Sequence, residues 1–147
     1  PKDENRISDR IKRHFEDDLS GRAIVVNREV EIRRGQETDI RIDAVSPSND
    51  IISMIIEVKG CWNPTLKTAM TEQLRDRYLK DNGCEFGIYL VVWCLCDQWD
   101  EKDSRKRRTP RWTLEAARQY FDEQAVSLSG PSEYLQSFVL DGSLHSR

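Results

Sequence analysis

One stretch of the sequence joins an apolar run to two opposite charges. Ile51–Ile56 is typical of a buried strand, yet it continues into Glu57 and Lys59, which stand one residue apart. Side chains alternate between the two faces of a strand, so both charges belong to one face. Taken alone, such a pair is most often an inert, solvated ion pair at a strand end. At the end of a core strand it predicts that the strand emerges there into a functional site.

The preceding strand is predicted to bring a second acidic residue to the same face. The segment TDIRIDAV alternates strictly between polar and apolar residues, and the turn cluster SPSND follows it. This pattern predicts an antiparallel hairpin folded about Ser48. Asp39 stands nine positions before Ser48 and Glu57 nine positions after it, so the two are expected to face each other. A register slip of two residues would bring Asp43 or Arg41 into these pairs instead.

Two opposed carboxylates repel each other unless a cation lies between them. Mg²⁺ binds one or two carboxylates and keeps its other positions for water and phosphate oxygen. A metal ion held by Asp39 and Glu57 would polarise a phosphodiester and acidify a bound water. Lys59 would orient or deprotonate that water, or neutralise charge on the phosphate. The predicted chemistry is hydrolysis of a nucleic-acid backbone.

The elements around this hairpin are predicted from periodicity and turn residues. Apolar residues at four-residue steps predict a first helix with Asn5 as its N-cap, namely Ile7, Ile11, Phe15 and Leu19. A strand region follows and ends at Gly35. Asn63 and Pro64 begin a second helix, which ends at Asp81–Gly83.

The rest of the chain is predicted as strand, loop, helix and strand. FGIYLVVWCLC has the composition of a buried strand, and the polar segment DQWDEKDSRKRRTPR is predicted to be a loop. Thr113 caps the next helix, and LQSFVL forms a last short strand. The order of helix, three strands, helix, strand, helix and strand predicts a mixed α/β fold around a central sheet.

These residues resemble the motif of a known group of enzymes. Asp39, followed after a gap by Glu57-Val58-Lys59 at a strand end, resembles the PD-(D/E)xK nuclease superfamily. That group includes many restriction endonucleases, Holliday-junction resolvases and RecB-type exonuclease domains. Thr38 stands where the family usually has proline. The resemblance runs from about residue 5 to residue 96. It implies a restriction-endonuclease-like αβββαβ core, with a central mixed sheet flanked by helices.

The resemblance also implies roles for individual residues. Asp39, Glu57 and the backbone carbonyl of Val58 are expected to bind Mg²⁺ or Mn²⁺, and Lys59 is expected to be catalytic. DNA is the implied substrate, with RNA as the alternative. Many relatives cut both strands as dimers, so a homodimer is a further possibility that the resemblance raises.

Residues outside the hairpin are implied by particular branches of the superfamily. In several branches a Gln on the following helix supports the active site, often within a QxxxY pattern. Gln73 is its counterpart here, although an ordinary polar position is an equal alternative, and Tyr78 stands one residue too far along. Other branches use a Glu of the first helix. Glu16 is that candidate, with Asp17 and Asp18 as competitors and a solvated helix position as the alternative.

Phosphate contacts are predicted from a basic run in the long polar loop. This run consists of Arg105, Lys106, Arg107 and Arg108, and its cations could bind a nucleic-acid backbone. The same loop carries four acidic residues, so a solvated segment that compensates its own charge is the competing interpretation. Trp62 could border the cleft beside Lys59, although tryptophans more often pack in a core or at its rim.

Composition narrows the class of protein. The 147 residues correspond to one domain, 1–147, and the net charge of −3 is not that of a strongly basic nucleic-acid binder. The sequence has no apolar run of about 18 residues and no cleavable leader, so we expect a cytosolic chain with no membrane contact. The four cysteines lack zinc-site spacing and are expected to be reduced. Because the chain starts at Pro1, we expect it to be part of a larger protein with further domains.

Three functions compete at this point. The first is a metal-dependent DNA nuclease, the effector domain of a larger bacterial protein with a role in defence. The second is a catalytically silent member of the same fold that serves as a nucleic-acid-binding or assembly module. The third is an unrelated α/β interaction domain with a chance motif, which would place Asp39 and Glu57 on opposite faces of the sheet.

Overall fold

The structure is a computed structural model that describes the backbone of residues 2–33 and 36–143 and, outside residues 2–4 and 28–38, their side chains. Its elements, in chain order, are α1 (Lys2–Leu19), β1 (Ile24–Arg33), β2 (Gln36–Val45), β3 (Ile51–Gly60), a π-helix (Met70–Leu79) that continues into α2 (Lys80–Asn82), β4 (Phe86–Trp93), α3 (Ser104–Arg108), α4 (Leu114–Leu128) and β5 (Tyr134–Asp141). The predicted order of helices and strands is confirmed. The addition is α3, which lies in the segment predicted to be a loop.

The five strands form one mixed sheet in the order β1-β2-β3-β4-β5. β1 and β2 are antiparallel, as are β2 and β3, whereas β4 is parallel to β3 and β5 is parallel to β4. Parallel neighbours need a crossover connection, which the π-helix and α2 provide for β4, and α3 and α4 provide for β5. The protein is therefore an α/β protein whose sheet is flanked by helices. The C-terminal ends of β3, β4 and β5 meet at one edge.

One face of the sheet is covered by α1. The predicted apolar stripe of α1 packs against the inward residues of the antiparallel strands and of β4, namely Val26, Ile40, Ile42, Ile56, Val58 and Leu90. The opposite face is covered by the π-helix and α4. There Leu74 and Phe121 pack on Ile55, Tyr89 and Val91. Alternation along β3 thus sends Ile56 and Val58 to the α1 face, and Glu57 and Lys59 to the π-helix face.

Local turn chemistry explains the predicted helix boundaries. The Asn63 side chain accepts a hydrogen bond from the Thr65 amide at 2.8 Å, where the chain turns away from β3. Thr113 caps α4 by accepting from the Ala116 amide at 3.1 Å. Gly83 ends α2 with a φ of 60°, a left-handed conformation that suits glycine. The predictions for Thr113 and Gly83 are confirmed. The prediction that Asn63 and Pro64 begin the second helix is wrong, because residues 64–68 form turns and the helix itself begins at Met70, after Ala69 as its N-cap.

Three further predictions are corrected by the structure or concern residues that it does not describe. α1 begins at Lys2, so Asn5 lies within the helix and is not its N-cap. The predicted end of the first strand, Gly35, lies outside the described residues, and β1 ends at Arg33 as described. The third concerns the burial of β3. Ile51 is 71 % exposed because it adjoins the exposed hairpin turn, and burial increases along the strand toward Gly60.

A search of the described ranges, 2–33 and 36–143, finds no helix that is long and apolar enough to span a bilayer.

Candidate active site

The β2–β3 register is the one predicted from the turn. Ile40 pairs with Ile56, Arg41 with Ile55 and Asp43 with Ser53, so the hairpin folds about Ser48 without a slip. The last paired residues toward the site are Ile40 and Ile56. Asp39 and Glu57 are the next residues on each strand, and the alternation of side chains places both on the π-helix face.

Asp39 contacts β3 through its side chain. Its Oδ2 accepts a hydrogen bond from the Val58 amide at 2.8 Å, beyond the Ile40–Ile56 pair of the backbone ladder. The amide and carbonyl of one strand residue point toward the same antiparallel neighbour. The Val58 carbonyl is therefore directed toward β2 as well, on the side where the Asp39 carboxylate lies. This arrangement is compatible with the predicted ligand role of the Val58 carbonyl.

Glu57 and Lys59 form a buried ion pair. Glu57 is 2 % exposed and Lys59 is 8 % exposed, and Nζ of Lys59 contacts Oε1 of Glu57 directly. The expectation that β3 emerges from the core at these charges is therefore wrong. The charged end of β3 is its buried end, because β4, the π-helix and the chain after Gly60 cover it. Burying two charges costs several kcal/mol per ion before their attraction is counted.

The alternative acidic residue, Asp43, is engaged elsewhere. Its carboxylate accepts from Nε of Arg41 at 3.0 Å and from the Ser53 hydroxyl. Arg41 also donates to the Ser53 hydroxyl at 3.1 Å, which closes a three-residue network near the hairpin turn. Asp39, rather than Asp43, is therefore the carboxylate that meets the Glu57 end of β3.

The helix facing the site is a π-helix, and this changes the spacing of its side chains. The amide of Lys80 donates to the carbonyl of Arg75, five residues earlier. Gln73 and Tyr78 are also five residues apart, so the wider i→i+5 turn aligns them on one side of the helix. In an α-helix the extra residue between them would rotate Tyr78 away from Gln73. Isolated π-turns are frequent at functional sites.

Tyr78 lies within the electrostatic field of both carboxylates. Burial, followed by the negative charges of Glu57 and Asp39, raises the pKa of Tyr78 from 10.0 to about 12. Its hydroxyl therefore stays protonated at neutral pH. Gln73 is half-buried, and its side-chain oxygen is sealed from solvent without a hydrogen-bond partner in the described part of the chain. An acceptor oxygen in that state is compatible with a cationic or donor ligand.

Glu16 does not belong to this site. It is exposed on α1 and forms an ion pair with Lys12 at 3.2 Å. Because α1 packs on Ile56 and Val58, it lies on the opposite face of the sheet from Glu57. The predicted metal-ligand role of Glu16 is therefore wrong. The competing residues Asp17 and Asp18 are also exposed on α1.

The segment around α3 is anchored to the chain directly after Lys59. The guanidinium of Arg105 lies over the Trp62 ring at 5.5 Å, and the Trp62 and Trp99 rings meet edge to face at 6.0 Å. At the other end of α3, the Thr109 hydroxyl donates to the Cys61 sulfur at 3.7 Å. The short helix is thereby held at the C-terminal ends of β3 and β4, beside the candidate site.

The basic run of α3 is divided between internal and exposed positions. Lys106 is 2 % exposed, donates to the Trp99 carbonyl at 2.6 Å and pairs with Glu101 at 2.6 Å, so it is not available for phosphate contacts as predicted. Arg105 pairs with Asp103, whose pKa this contact lowers. Arg107 and Arg108 are exposed.

Trp62 also departs from its predicted role. It is almost wholly buried, because Trp99 packs against its ring on one side and Gly60 leaves room for it on another. A Cβ atom at Gly60 would lie 2.5 Å from the Trp62 ring, so this glycine permits the packing. Trp62 is a packing residue rather than an exposed surface for base stacking. The residues that sequence reasoning missed here are Trp99 and Thr109, which no motif distinguishes.

The donor set limits what the site could hold. Among the residues that the structure describes, no group of three or more His, Cys, Asp or Glu side chains is placed to hold a metal ion. Asp39 and Glu57 supply two carboxylates, the Val58 carbonyl is a neutral oxygen donor on β3, and the buried Gln73 oxygen is another on the facing helix. Hard cations such as Mg²⁺ accept a set of one or two carboxylates with further oxygen ligands. The residues present therefore fit that class of ion.

The fold and the site define an α/β protein with two carboxylates and a lysine at the buried end of a central strand. Residues 1–95 match a family described as a domain of unknown function (DUF8371). The chain belongs to this family. The matched region includes α1 through β4, and so contains Asp39, Glu57, Lys59 and the π-helix. No curated protein and no solved structure matches the chain.

The buried ion pair predicts a non-additive effect on stability. We expect Lys59→Met to lower the free energy of unfolding by about 3–5 kcal/mol, because it leaves the Glu57 carboxylate buried without its ammonium partner. Adding Glu57→Gln should recover much of that loss, since neither charge is then buried. Urea unfolding of the single and double variants measures the coupling.

The exposed pair on α1 provides the matched control for this cycle. Lys12→Met and Glu16→Gln remove the same two side-chain types from a surface ion pair. We expect a coupling of less than about 1 kcal/mol there. Equal coupling energies for the two pairs, or simple additivity at Glu57 and Lys59, would contradict the buried-pair assignment.

The raised pKa of Tyr78 predicts a late step in alkaline titration. We expect tyrosinate absorbance to show a component near pH 12 that Tyr78→Phe removes. Glu57→Gln should lower that pKa by removing a nearby negative charge, whereas Glu16→Gln should not. The native state holds the Tyr78 proton more tightly than the unfolded chain does. This contribution to stability is therefore complete below pH 10.0 and is lost as the pH rises through about 12. Superimposable wild-type and Tyr78→Phe curves would refute this environment for Tyr78.

Proposed function

We propose that this protein is a metal-dependent nuclease that hydrolyses DNA phosphodiester bonds. One observation carries the proposal. The β2–β3 register puts the Asp39 and Glu57 carboxylates on one face, with Lys59 in contact with Glu57. An inert surface motif does not need such burial, which is costly in free energy. In the same proposal the chain is a cytosolic effector domain of a larger bacterial protein.

The topology supports a restriction-endonuclease-like core for this proposal. The first elements are a helix, three antiparallel strands, a helix and a strand parallel to the third. This order is the αβββαβ arrangement implied by the motif. The motif residues occupy the second and third strands, and the helix with Gln73 follows the third strand. Sequence motif and element order therefore agree, although each was obtained separately.

Each site residue has a role in the proposed reaction. Asp39, Glu57 and the Val58 carbonyl would hold Mg²⁺ or Mn²⁺, and the buried Gln73 oxygen is a further acceptor on the facing helix. The chemistry that such an ion supplies is polarisation of a phosphodiester and acidification of a bound water.

Lys59 and Tyr78 are the groups that can donate protons or hydrogen bonds here. The ammonium of Lys59 would neutralise charge that builds on the phosphate, or orient the attacking water. Glu57 holds this ammonium in place at the C-terminal end of β3. Tyr78 is protonated at neutral pH and serves as a hydrogen-bond donor close to the two carboxylates.

The exposed half of the basic run is our candidate for the phosphate contacts. Arg107 and Arg108 are exposed, and the described part of the chain shows no ion pair for either. The internal contacts of Arg105 and Lys106 fix the short helix that carries them. Because α3 is anchored at Cys61 and Trp62, directly after β3, we expect the two arginines to lie toward the C-terminal end of that strand.

A second candidate function is a catalytically silent binding or assembly module of the same fold. The observation that favours it is the direct contact between Lys59 and Glu57, because each charge already has an opposite charge as its partner. In a silent domain this pair would be a structural element of the core. The two functions make opposite predictions about cleavage.

Plasmid cleavage with Mg²⁺ or Mn²⁺ is the direct test, with EDTA as the reference. We expect Glu57→Gln to lower the cleavage rate at least about a hundredfold, because it removes a metal ligand. Glu16→Gln makes the same chemical change on the opposite face and should leave the rate unchanged. Cleavage that survives EDTA, or equal rates for the two variants, would rule out the proposed mechanism. Absence of cleavage of any DNA or RNA by the folded chain would support the silent module.

A binding experiment tests the phosphate contacts separately. In the Glu57→Gln background, Arg107→Ala with Arg108→Ala should reduce the slope of log affinity against log salt by about two for double-stranded DNA. Arg10→Ala with Arg13→Ala removes the same charge from α1 and should leave the slope unchanged. Fluorescence anisotropy with a labelled duplex measures both. Equal losses from the two pairs would show that net charge, rather than Arg107 and Arg108, governs binding.

A further inference from the structure

Two cysteines meet where β3 and β4 end, and the proposed reaction does not use them. Cys61 directly follows β3 and is completely buried, whereas Cys94 directly follows β4 and is half-buried. The Cys61 sulfur accepts hydrogen bonds from the Cys94 amide at 3.3 Å and from the Thr109 hydroxyl at 3.7 Å. Cys61 therefore lies against Cys94 in a pocket of hydrogen-bond donors.

The two cysteines lie directly after neighbouring strands. Gly60 pairs with Val92 across the parallel strands, so the chain positions that follow them stay adjacent. The Cys94 amide contacts the Cys61 sulfur at 3.3 Å, which brings the backbone of one cysteine against the side chain of the other. All four cysteines of the chain carry free thiols in this structure.

The two thiols share a proton near neutral pH. A hydrogen bond from the Cys94 thiol is the largest influence that lowers the pKa of Cys61, which falls from 9.0 to about 7 although burial opposes the shift. The same bond, together with burial, raises the pKa of Cys94. Transfer of the shared proton from Cys94 to Cys61 moves the negative charge to the sulfur of Cys94.

Cys94 is the member of the pair that small reagents can reach. It lines a cavity of about 210 Å³ that opens beside α3, together with Cys96, Trp62, Trp99, Arg105 and Gly142. A cavity of this size admits a molecule as small as hydrogen peroxide. The Arg105 guanidinium in the same wall favours a thiolate over a neutral thiol.

We propose that Cys61 and Cys94 are a modification site that peroxide converts reversibly into a disulfide. The Cys94 sulfur attacks one oxygen of hydrogen peroxide while its proton passes to the Cys61 thiolate and the O–O bond breaks, which leaves a sulfenic acid on Cys94 and a hydroxide. The hydroxide takes the proton from Cys61 and leaves as water. The Cys61 sulfur then attacks the sulfenic sulfur, the S–O bond breaks and a second water leaves. In total, two thiols lose two electrons and two protons to one peroxide.

This inference does not depend on the proposed nuclease activity. Its readout is the covalent state of the two sulfurs, whatever reaction the chain catalyses. Disulfides in reducing compartments are typically transient and redox-sensing. Cys61 is two residues after Lys59, so oxidation of this pair would take place next to the candidate site. A dithiol that forms a disulfide reversibly is also protected from irreversible oxidation.

The experiment uses the reduced full chain, treated with hydrogen peroxide, alkylated and digested with trypsin without reduction. One tryptic peptide, residues 81–102, contains Cys84, Cys94 and Cys96 together, so the wild-type crosslink alone does not identify the partner of Cys61. We therefore compare Cys84→Ala/Cys96→Ser, which retains Cys61 and Cys94, with Cys84→Ala/Cys94→Ser, which retains Cys61 and Cys96.

We expect a crosslink between peptide 60–67 and peptide 81–102 in wild type and in the first variant, and its loss after treatment with dithiothreitol. The second variant should yield no crosslink and should retain two alkylated thiols. Tandem mass spectrometry of the wild-type peptides gives the same assignment without any substitution. A Cys94–Cys96 disulfide, a Cys61–Cys96 crosslink of equal yield, or four unmodified thiols in folded wild-type protein would overturn the proposal.

Discussion

The burial of the Glu57–Lys59 ion pair is the constraint on which the rest of the structure depends. Two charges removed from water lose several kcal/mol of hydration each, and their attraction compensates only when the geometry is good. β3 supplies that geometry because it is the central strand, held by β2 on one side and β4 on the other. The π-helix and the segment after Gly60 complete the enclosure. The apolar residues of β3 thus position its two charged residues.

The elements next to the Glu57–Lys59 ion pair add further polar groups on the same face of the sheet. Asp39 brings a second carboxylate to the same face and accepts the Val58 amide where the last backbone pairs of β2 and β3 have formed. Gln73 and Tyr78 lie one turn apart on the π-helix that faces these strands, so both side chains are aligned on one side of that helix. π-Helices are rare and occur mostly as single turns inside α-helices.

Much of this arrangement could be predicted from the sequence, because it depends on short-range rules. Strict alternation in β2 and a single turn cluster were enough to obtain the register, and so the pairing of Asp39 with Glu57. Burial along β3 could not be predicted in the same way. The apolar Ile51 is exposed and the charged Glu57 is buried, which is the opposite of what their hydropathy predicts. The reason is that exposure depends on which elements cover each end of the strand. Likewise, no local rule distinguishes a π-helix from an α-helix, or shows that Lys106 is enclosed by Trp99 and Glu101.

The two candidate functions differ in how the charges of three side chains are balanced. Asp39, Glu57 and Lys59 together carry two negative charges and one positive charge when ionised, so these three side chains sum to −1. In a silent module the Val58 amide is one of the groups that offset this charge. In the proposed nuclease, a divalent cation changes the net charge from −1 to +1. A net positive charge on these groups is complementary to a phosphodiester. The imbalance between carboxylates and lysine, rather than the ion pair itself, is therefore the stronger argument for a metal-binding role.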